Sequence, residues 1–243
     1  MTIGFGVPTI VAAVKAEVDA LLDWVDGQPT APRHDRVEAV LAERGWLPCG
    51  EGDWARAYRS PGGRHAARVS PFDPACAFTV RLYREGAANR YLPRLDAHRR
   101  LDGGGCLMVM EFLEPVDVAE ARRWFGRLHD PATRDADLAA AADLIARLHR
   151  MAEAELPWCG PLDDNPSNVM RTPAGEIRFV DPFYMRGAVL YGKALTAPHE
   201  VVAAIPADDR RYMLDIPAVA REAGPEEIAH MRAALLAADR ATT

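Results

Sequence analysis

Asp163, Asn168 and Asp181 fall within one stretch, DDNPSNVMRTPAGEIRFVD, with Asn168 five residues after the first carboxylate and thirteen before the second. Two carboxylates and a carboxamide are hard oxygen donors. Converging on one pocket, they suit a cation such as Mg²⁺ with phosphate groups attached to it. A carboxylate in the same place can also orient a hydroxyl or take its proton. On residues alone, the stretch also reads as a polar loop and turn rich in Asp and Asn.

Convergence needs the chain to fold back. VMR and IRFV read as two short strands joined by Thr172-Pro173-Ala174-Gly175, where proline presets φ and glycine supplies the reversal. Upstream, Gly50-Glu51-Gly52-Asp53-Trp54-Ala55 leads into a strand over 56–59, and a GxG turn between strands lets the backbone come close to phosphates. Ser60-Pro61-Gly62-Gly63 turns into a second strand, 65–69. A prolyl loop over 70–74 precedes a helix over 78–88. Residues 91–95 and 106–112 read as further strands, the latter nearly all apolar and so central, with Gly103-Gly104-Gly105 as the turn before it.

Helical spacing returns over 118–128, over 138–151 through Leu138, Ala142, Ile145, Leu148 and Met151, and from Pro225 through Ile228, Met231, Leu235 and Ala238. At the other end, Thr9 is placed to cap a helix through Ile10, Val14, Val18, Leu21 and Val25 that stops at Gly27. A linker over 28–33 follows. A second helix starts at Asp35 with Glu38 as its box partner and ends at Gly45. Residues 186–221 carry no motif.

Taken together, Asp163-Asp164-Asn165-Pro166-Ser167-Asn168 and Phe179-Val180-Asp181 resemble the catalytic loop and the strand-end aspartate of the protein-kinase-like phosphotransferases, a superfamily that includes aminoglycoside phosphotransferases. The resemblance runs over roughly residues 46–185. It implies an α+β, two-lobed protein-kinase-like fold: a helical extension over 1–45, a lobe of small antiparallel sheet and helix over 46–113, and a mostly helical lobe over 114–243 that carries the hairpin 163–181. It further implies Asp163 as the catalytic group and Asn168 and Asp181 as Mg²⁺ ligands. Gly50, Gly52 and Arg68 would lie on the phosphates of ATP, with Glu85 pairing Arg68. The backbone of Glu111 and Leu113 would pair with adenine.

The chain departs from that pattern in several places. Arg68 stands where the family carries lysine, and the chain has only two lysines, Lys15 and Lys193. Arginine keeps the charge and can grip phosphate bidentately, with a longer, planar head. Ala55 replaces a third glycine, and Asn165 stands where protein kinases often keep a lysine. Pro161-Leu162-Asp163 lacks the usual histidine, leaving His149 as a solvated or partly packed side chain. Pro182-Phe183 replaces Phe-Gly, and a proline there is expected to hold Asp181 in extended backbone.

The formal charge of −6 argues against a nucleic-acid surface. No signal-like start and no membrane-length apolar run occurs, so a cytoplasmic location is expected. Cys49, Cys76, Cys106 and Cys159 are scattered singly and read as buried thiols. The leading reading is an ATP- and Mg²⁺-dependent kinase acting on a hydroxyl of a protein or small molecule. A pseudokinase serving as a binding module, a kinase-fold nucleotidyltransferase and, more remotely, a metal-dependent hydrolase stay open.

Overall fold

The computed structural model describes the backbone of residues 7–242 and the side chains of residues 15–241. Helix α1 (Val7–Asp26) already contains Thr9, whose expected capping side chain lies outside the described residues. Its apolar stripe is followed from Val18 through Leu21 to Val25, all buried; the side chains of Ile10 and Val14 lie outside the described residues. Helix α2 (His34–Glu43) starts from Arg33, so Asp35 sits in the first turn, where its charge opposes the helix dipole instead of capping. Gly45, at φ +77°, ends α2 as expected, and Trp46 N–H reaches back to the Leu41 carbonyl at 2.9 Å.

Five antiparallel strands follow: β1 (Leu47–Glu51), β2 (Arg56–Arg59), β3 (His65–Ser70), β4 (Leu95–Arg100) and β5 (Cys106–Glu111), in the order β1-β2-β3-β5-β4. Strand side chains alternate between faces, and the two faces have different partners. Ala67, Val69, Leu107 and Val109 pack with Val18, Leu21, Val37 and Leu41 of α1 and α2. Cys106, Met108 and Met110 face the other way, onto α3 (Cys76–Glu85) and the helices beyond. With both faces covered, β5 must be apolar throughout, which is why its composition marked it as central. The same alternation turns Arg68 toward α3.

Two expected elements shift. Residues 89–92 form a turn, closed by Leu92 N–H on the Asn89 carbonyl at 3.1 Å, and the strand assigned to 91–95 runs instead over Leu95–Arg100. It is an edge strand rich in charge, without the apolar signature. The helix expected over 78–88 starts two residues earlier and stops at Glu85.

The remaining chain is mostly helical. A short strand β6 (Glu114–Pro115) leads to α4 (Val118–His129) and α5 (Ala136–Glu155), capped by Asp117 and Asp135, whose carboxylates accept from Glu120 N–H and Leu138 N–H. Then come β7 (Cys159–Leu162), β8 (Val169–Arg171), β9 (Ile177–Phe179) and β10 (Phe183–Met185). β8 pairs with β6 and β9, and β10 pairs with β7. The motif-free segment forms α6 (Gly187–Thr196), α7 (Pro198–Ala204), α8 (Ala207–Arg210) and α9 (Pro217–Glu222), before α10 (Pro225–Thr242). One apolar core runs without a break from Phe72 and α3 through α4 and α5 to Met231 and Leu235 of α10. Among the described residues, no helix is long and apolar enough to cross a membrane.

The cysteines differ from expectation. Cys76 and Cys106 are buried but joined as a disulfide, with Cα atoms 6.8 Å apart, and Cys49 is exposed. A sequence separation of 30 hides the contact; β5 and the start of α3 create it.

Candidate active site

The β8–β9 hairpin forms as its residues dictate. Gly175 takes φ +89° and donates to the Thr172 carbonyl at 2.8 Å, and Val169 and Arg171 pair with Phe179 and Ile177. This brings the two ends of the 163–181 stretch together. Asn168 Nδ2 donates to the Asp181 carbonyl at 3.3 Å and its side chain also bonds the Asp163 carboxylate; Val180 N–H meets the Asn168 carbonyl at 2.8 Å. Asp163 N–H donates to the Pro182 carbonyl at 2.9 Å. Asp163, Asn168 and Asp181 thus converge.

Asp163 is half-buried and its Oδ1 accepts from Asn165 N–H at 3.0 Å. Burial pushes its carboxyl above the ordinary aspartate range, against the pull of the Asn165 and Asn168 bonds; the Asp181 and Asp164 charges push the same way as burial. Asp164 points elsewhere, to His129 Nε2 at 2.9 Å. His149 is mostly buried: its Nε2 donates to the Gly160 carbonyl at 2.8 Å, so a histidine from α5 anchors β7 just ahead of the 163–168 loop.

Asp181 has φ +42°, the one non-glycine residue in that region among those described. The expectation that Pro182 holds it extended is therefore wrong. Pre-proline strain of order 1–3 kcal/mol is tolerated because three contacts determine the residue. Its N–H donates to Tyr83 Oη at 3.1 Å, its carbonyl accepts from Asn168, and its Oδ2 lies 3.2 Å from Arg68 Nε.

Arg68 corrects a second expectation. Its partner is not Glu85, whose carboxylate pairs with Arg81 and Arg147 on the exposed side of α3. Arg68 Nη1 binds Asp73 Oδ2 at 2.8 Å instead. Burial opposes the Arg68 charge, but Asp181 and Asp73 outweigh it and hold the guanidinium's pKa above its ordinary value. Asp73 is fixed in turn by Ala75 N–H on its Oδ1 at 3.0 Å. The signal for it was an aspartate between two prolines five residues past Arg68, a loop that fixes its own backbone.

Glu111 and Leu113, expected to pair with adenine through their backbone, are also committed. Glu111 N–H donates to the Arg94 carbonyl at 3.1 Å, and its carboxylate binds Arg178 Nε at 2.8 Å. Leu113 is buried. Gly50 lies in β1 opposite Ala57, and Gly52 lies in the β1–β2 turn with its N–H on the Ala55 carbonyl at 2.9 Å. Sequence reasoning missed what holds that turn down. Arg221 of α9 reaches Glu51 Oε1 at 3.1 Å, the Gly52 carbonyl at 3.3 Å and Asp53 Oδ1 at 2.6 Å, and Ala218 N–H donates to the Asp53 carbonyl at 3.0 Å. Trp54 beside it packs between Phe72 and Tyr191.

Two carboxylates, Asp73 and Asp181, therefore meet the Arg68 guanidinium, and Asp163 joins Asp181 through Asn168; the excess negative charge suits a divalent cation. With its nitrogen engaged as a donor to the Asp181 carbonyl, the Asn168 amide keeps its oxygen as an acceptor. These are the hard donors Mg²⁺ takes.

No protein-family model matches the chain, and no curated protein matches it. Among solved structures it is similar to the apoenzyme of macrolide 2'-phosphotransferase MphH from Brachybacterium faecium, at 13% identity and a TM-score of 0.33, over 84% of this chain and 89% of that one. A likeness that shallow transfers no role from one chain to the other.

Proposed function

We propose that this chain is a kinase-like phosphotransferase that moves the γ-phosphate of ATP, with Mg²⁺, to a hydroxyl of a protein or small-molecule acceptor. The observation that carries the reading is the meeting of Asp163, Asn168 and Asp181 at the end of one hairpin, with Asp181 held in a strained backbone conformation that nothing but its three contacts explains. In this reading residues 46–113 form the nucleotide lobe and 114–243 the acceptor lobe, with 1–45 added behind the sheet.

Each residue then has a task. Asp163 orients the acceptor hydroxyl and receives its proton, and a carboxyl raised by burial is a better base near neutral pH than an ordinary aspartate. Asn168 and Asp181 hold the metal, which when bound neutralises phosphate charge. Arg68 positions Asp181, and among the described residues its Nη2 remains to meet a phosphate. The Glu111 carbonyl and Leu113 N–H face adenine. Gly50 and Gly52 cover the phosphates once the β1–β2 turn lifts from Arg221. Helices α6–α9 read the acceptor.

One observation favours a second reading. Arg68 is neutralised by two carboxylates and the glycine turn is tied down, which fits a nucleotide-binding module without turnover. Incubating the protein with ATP, Mg²⁺ and hydroxyl acceptors separates the possibilities: ADP supports phosphotransfer, pyrophosphate supports nucleotidyl transfer, and Mg²⁺-dependent binding without product supports the module.

A further inference from the structure

Cys76 opens α3, Cys106 opens β5 and His98 stands between Ala97 and Arg99 on β4, and the fold gathers these three side chains behind the candidate active site. Their ligating atoms all lie within 4.8 Å of one another, and His98 Nε2 is 3.7 Å from Cys76 Sγ. Both cysteines are buried and His98 is half-buried. We propose that, once the Cys76–Cys106 disulfide is reduced, the two thiolates and His98 bind a zinc ion, leaving a fourth position for water. The inference rests on these three side chains and is independent of the phosphotransfer reading.

The donor set selects the metal. Thiolate with imidazole suits zinc and disfavours Mg²⁺ and Ca²⁺, which take oxygen. Zn–S bonds of about 2.3 Å and Zn–N bonds of about 2.0 Å, arranged tetrahedrally, put ligand atoms about 3.5–3.8 Å apart. The His98–Cys76 separation already matches this, and the sulfurs reach it when their bond opens. The Arg84 and Arg99 guanidiniums lie near His98. Zn²⁺ with two thiolates carries no net charge, so those guanidiniums do not oppose it.

A dithiol, itself oxidised to a disulfide, or a phosphine, oxidised to its oxide, supplies the two electrons that open the S–S bond, and each sulfur takes up one proton. Metal binding then breaks two S–H bonds, forms two Zn–S bonds and one Zn–N bond, and releases two protons without changing any oxidation state. The ion would tie the start of α3 to β4 and β5, three residues after Asp73.

The test uses the full chain, reduced with a phosphine that is then removed without oxygen, and Co²⁺ as the probe. One equivalent should produce a thiolate-to-cobalt charge-transfer band with the intense visible bands of a tetrahedral site, and Zn²⁺ should erase both. Cys76→Ser, Cys106→Ser and His98→Ala should each weaken binding roughly tenfold or more, since even a group that only supports a ligand is worth that much. A Cys49→Ser/Cys159→Ser chain should bind as the parent does. Should a variant fail to fold, alkylation of the reduced parent decides: zinc should protect Cys76 and Cys106, and a chelator should expose them. Absence of the charge-transfer band, its loss in the Cys49→Ser/Cys159→Ser chain, or labelling of Cys76 and Cys106 that zinc does not change would each overturn the proposal.

Discussion

Arg68 and Asp181 meet across the site with Nε 3.2 Å from Oδ2, while Asp73 takes the other edge of the same guanidinium at 2.8 Å. The arrangement makes Arg68 a structural keystone, apart from the phosphate contact proposed for it. Arg68→Ala leaves a buried carboxylate at Asp73 without its cation, a loss of about 3–5 kcal/mol for a buried pair broken on one side. Arg68→Ala/Asp73→Asn should recover much of that stability without recovering nucleotide binding. Denaturant midpoints and ATP titrations on both variants check it; equal stability of single and double variants would contradict the pairing.

Asp163→Asn and Asp164→Asn should separate cleanly. In the proposed role Asp163 faces the acceptor hydroxyl, so its amide should abolish transfer while sparing ATP binding; Asp164 bonds His129 at the surface and should tolerate the change. The folded pKa of Asp163 is raised, so its ionisation costs stability as pH rises above the ordinary aspartate value. Asp163→Asn should therefore melt higher than the parent at neutral pH, and the gap should close on acidification. A lower melting temperature at pH 7 would contradict the burial assigned to that carboxylate.

Much of this site could be read from the residues, and the misses have physical causes. The 163–181 hairpin was legible because its turn chemistry and its strands agree. The Arg68–Glu85 pairing failed because Glu85 falls in the last turn of α3, turned toward Arg81 and Arg147, while Asp73 sits in the loop just beyond β3. Asp181 defied the local pre-proline rule because Tyr83, Asn168 and Arg68 all act on it from distant parts of the chain. The edge strand β4 was displaced in the reading since its charged residues carry no apolar alternation. Residues 186–221 hold no motif, and so the Arg221 clamp on the β1–β2 turn came only from tertiary structure.

That clamp is itself testable. Arg221→Ala removes the contacts to Glu51, Gly52 and Asp53, all exposed, so the melting temperature should barely move. Amide exchange over residues 50–55 should quicken, and ATP should bind severalfold tighter if the turn must lift to admit phosphates. Unchanged exchange in the turn would show that Trp54 packing and the Ala218–Asp53 backbone bond, rather than Arg221, hold it.

His34 and His65 are buried, and burial holds both imidazoles below the ordinary value of 6.5, despite Asp215 and Asp96 nearby. Folded-state pKa values that are depressed mean that the unfolded chain binds more protons. Stability should be fully present above about pH 6.5 and fall as pH drops toward the folded values, by at most about 1.4 kcal/mol per pH unit for each group. Urea unfolding between pH 5 and pH 8 should show this slope, and His34→Gln should flatten it.

The central claim is that Asn168 and Asp181 form a metal-nucleotide site, and calorimetric titration of ATP into the parent and Asp181→Asn, each with Mg²⁺ and with chelator, tests it most directly. Asparagine tolerates the left-handed backbone at this position and removes only the charge. The parent should bind ATP at least about tenfold more tightly with Mg²⁺, since a charge-assisted contact is worth about 1.5–3 kcal/mol, and Asp181→Asn should lose that difference. Equal affinity with and without Mg²⁺ in the parent, or an undiminished Mg²⁺ effect in Asp181→Asn, would contradict it.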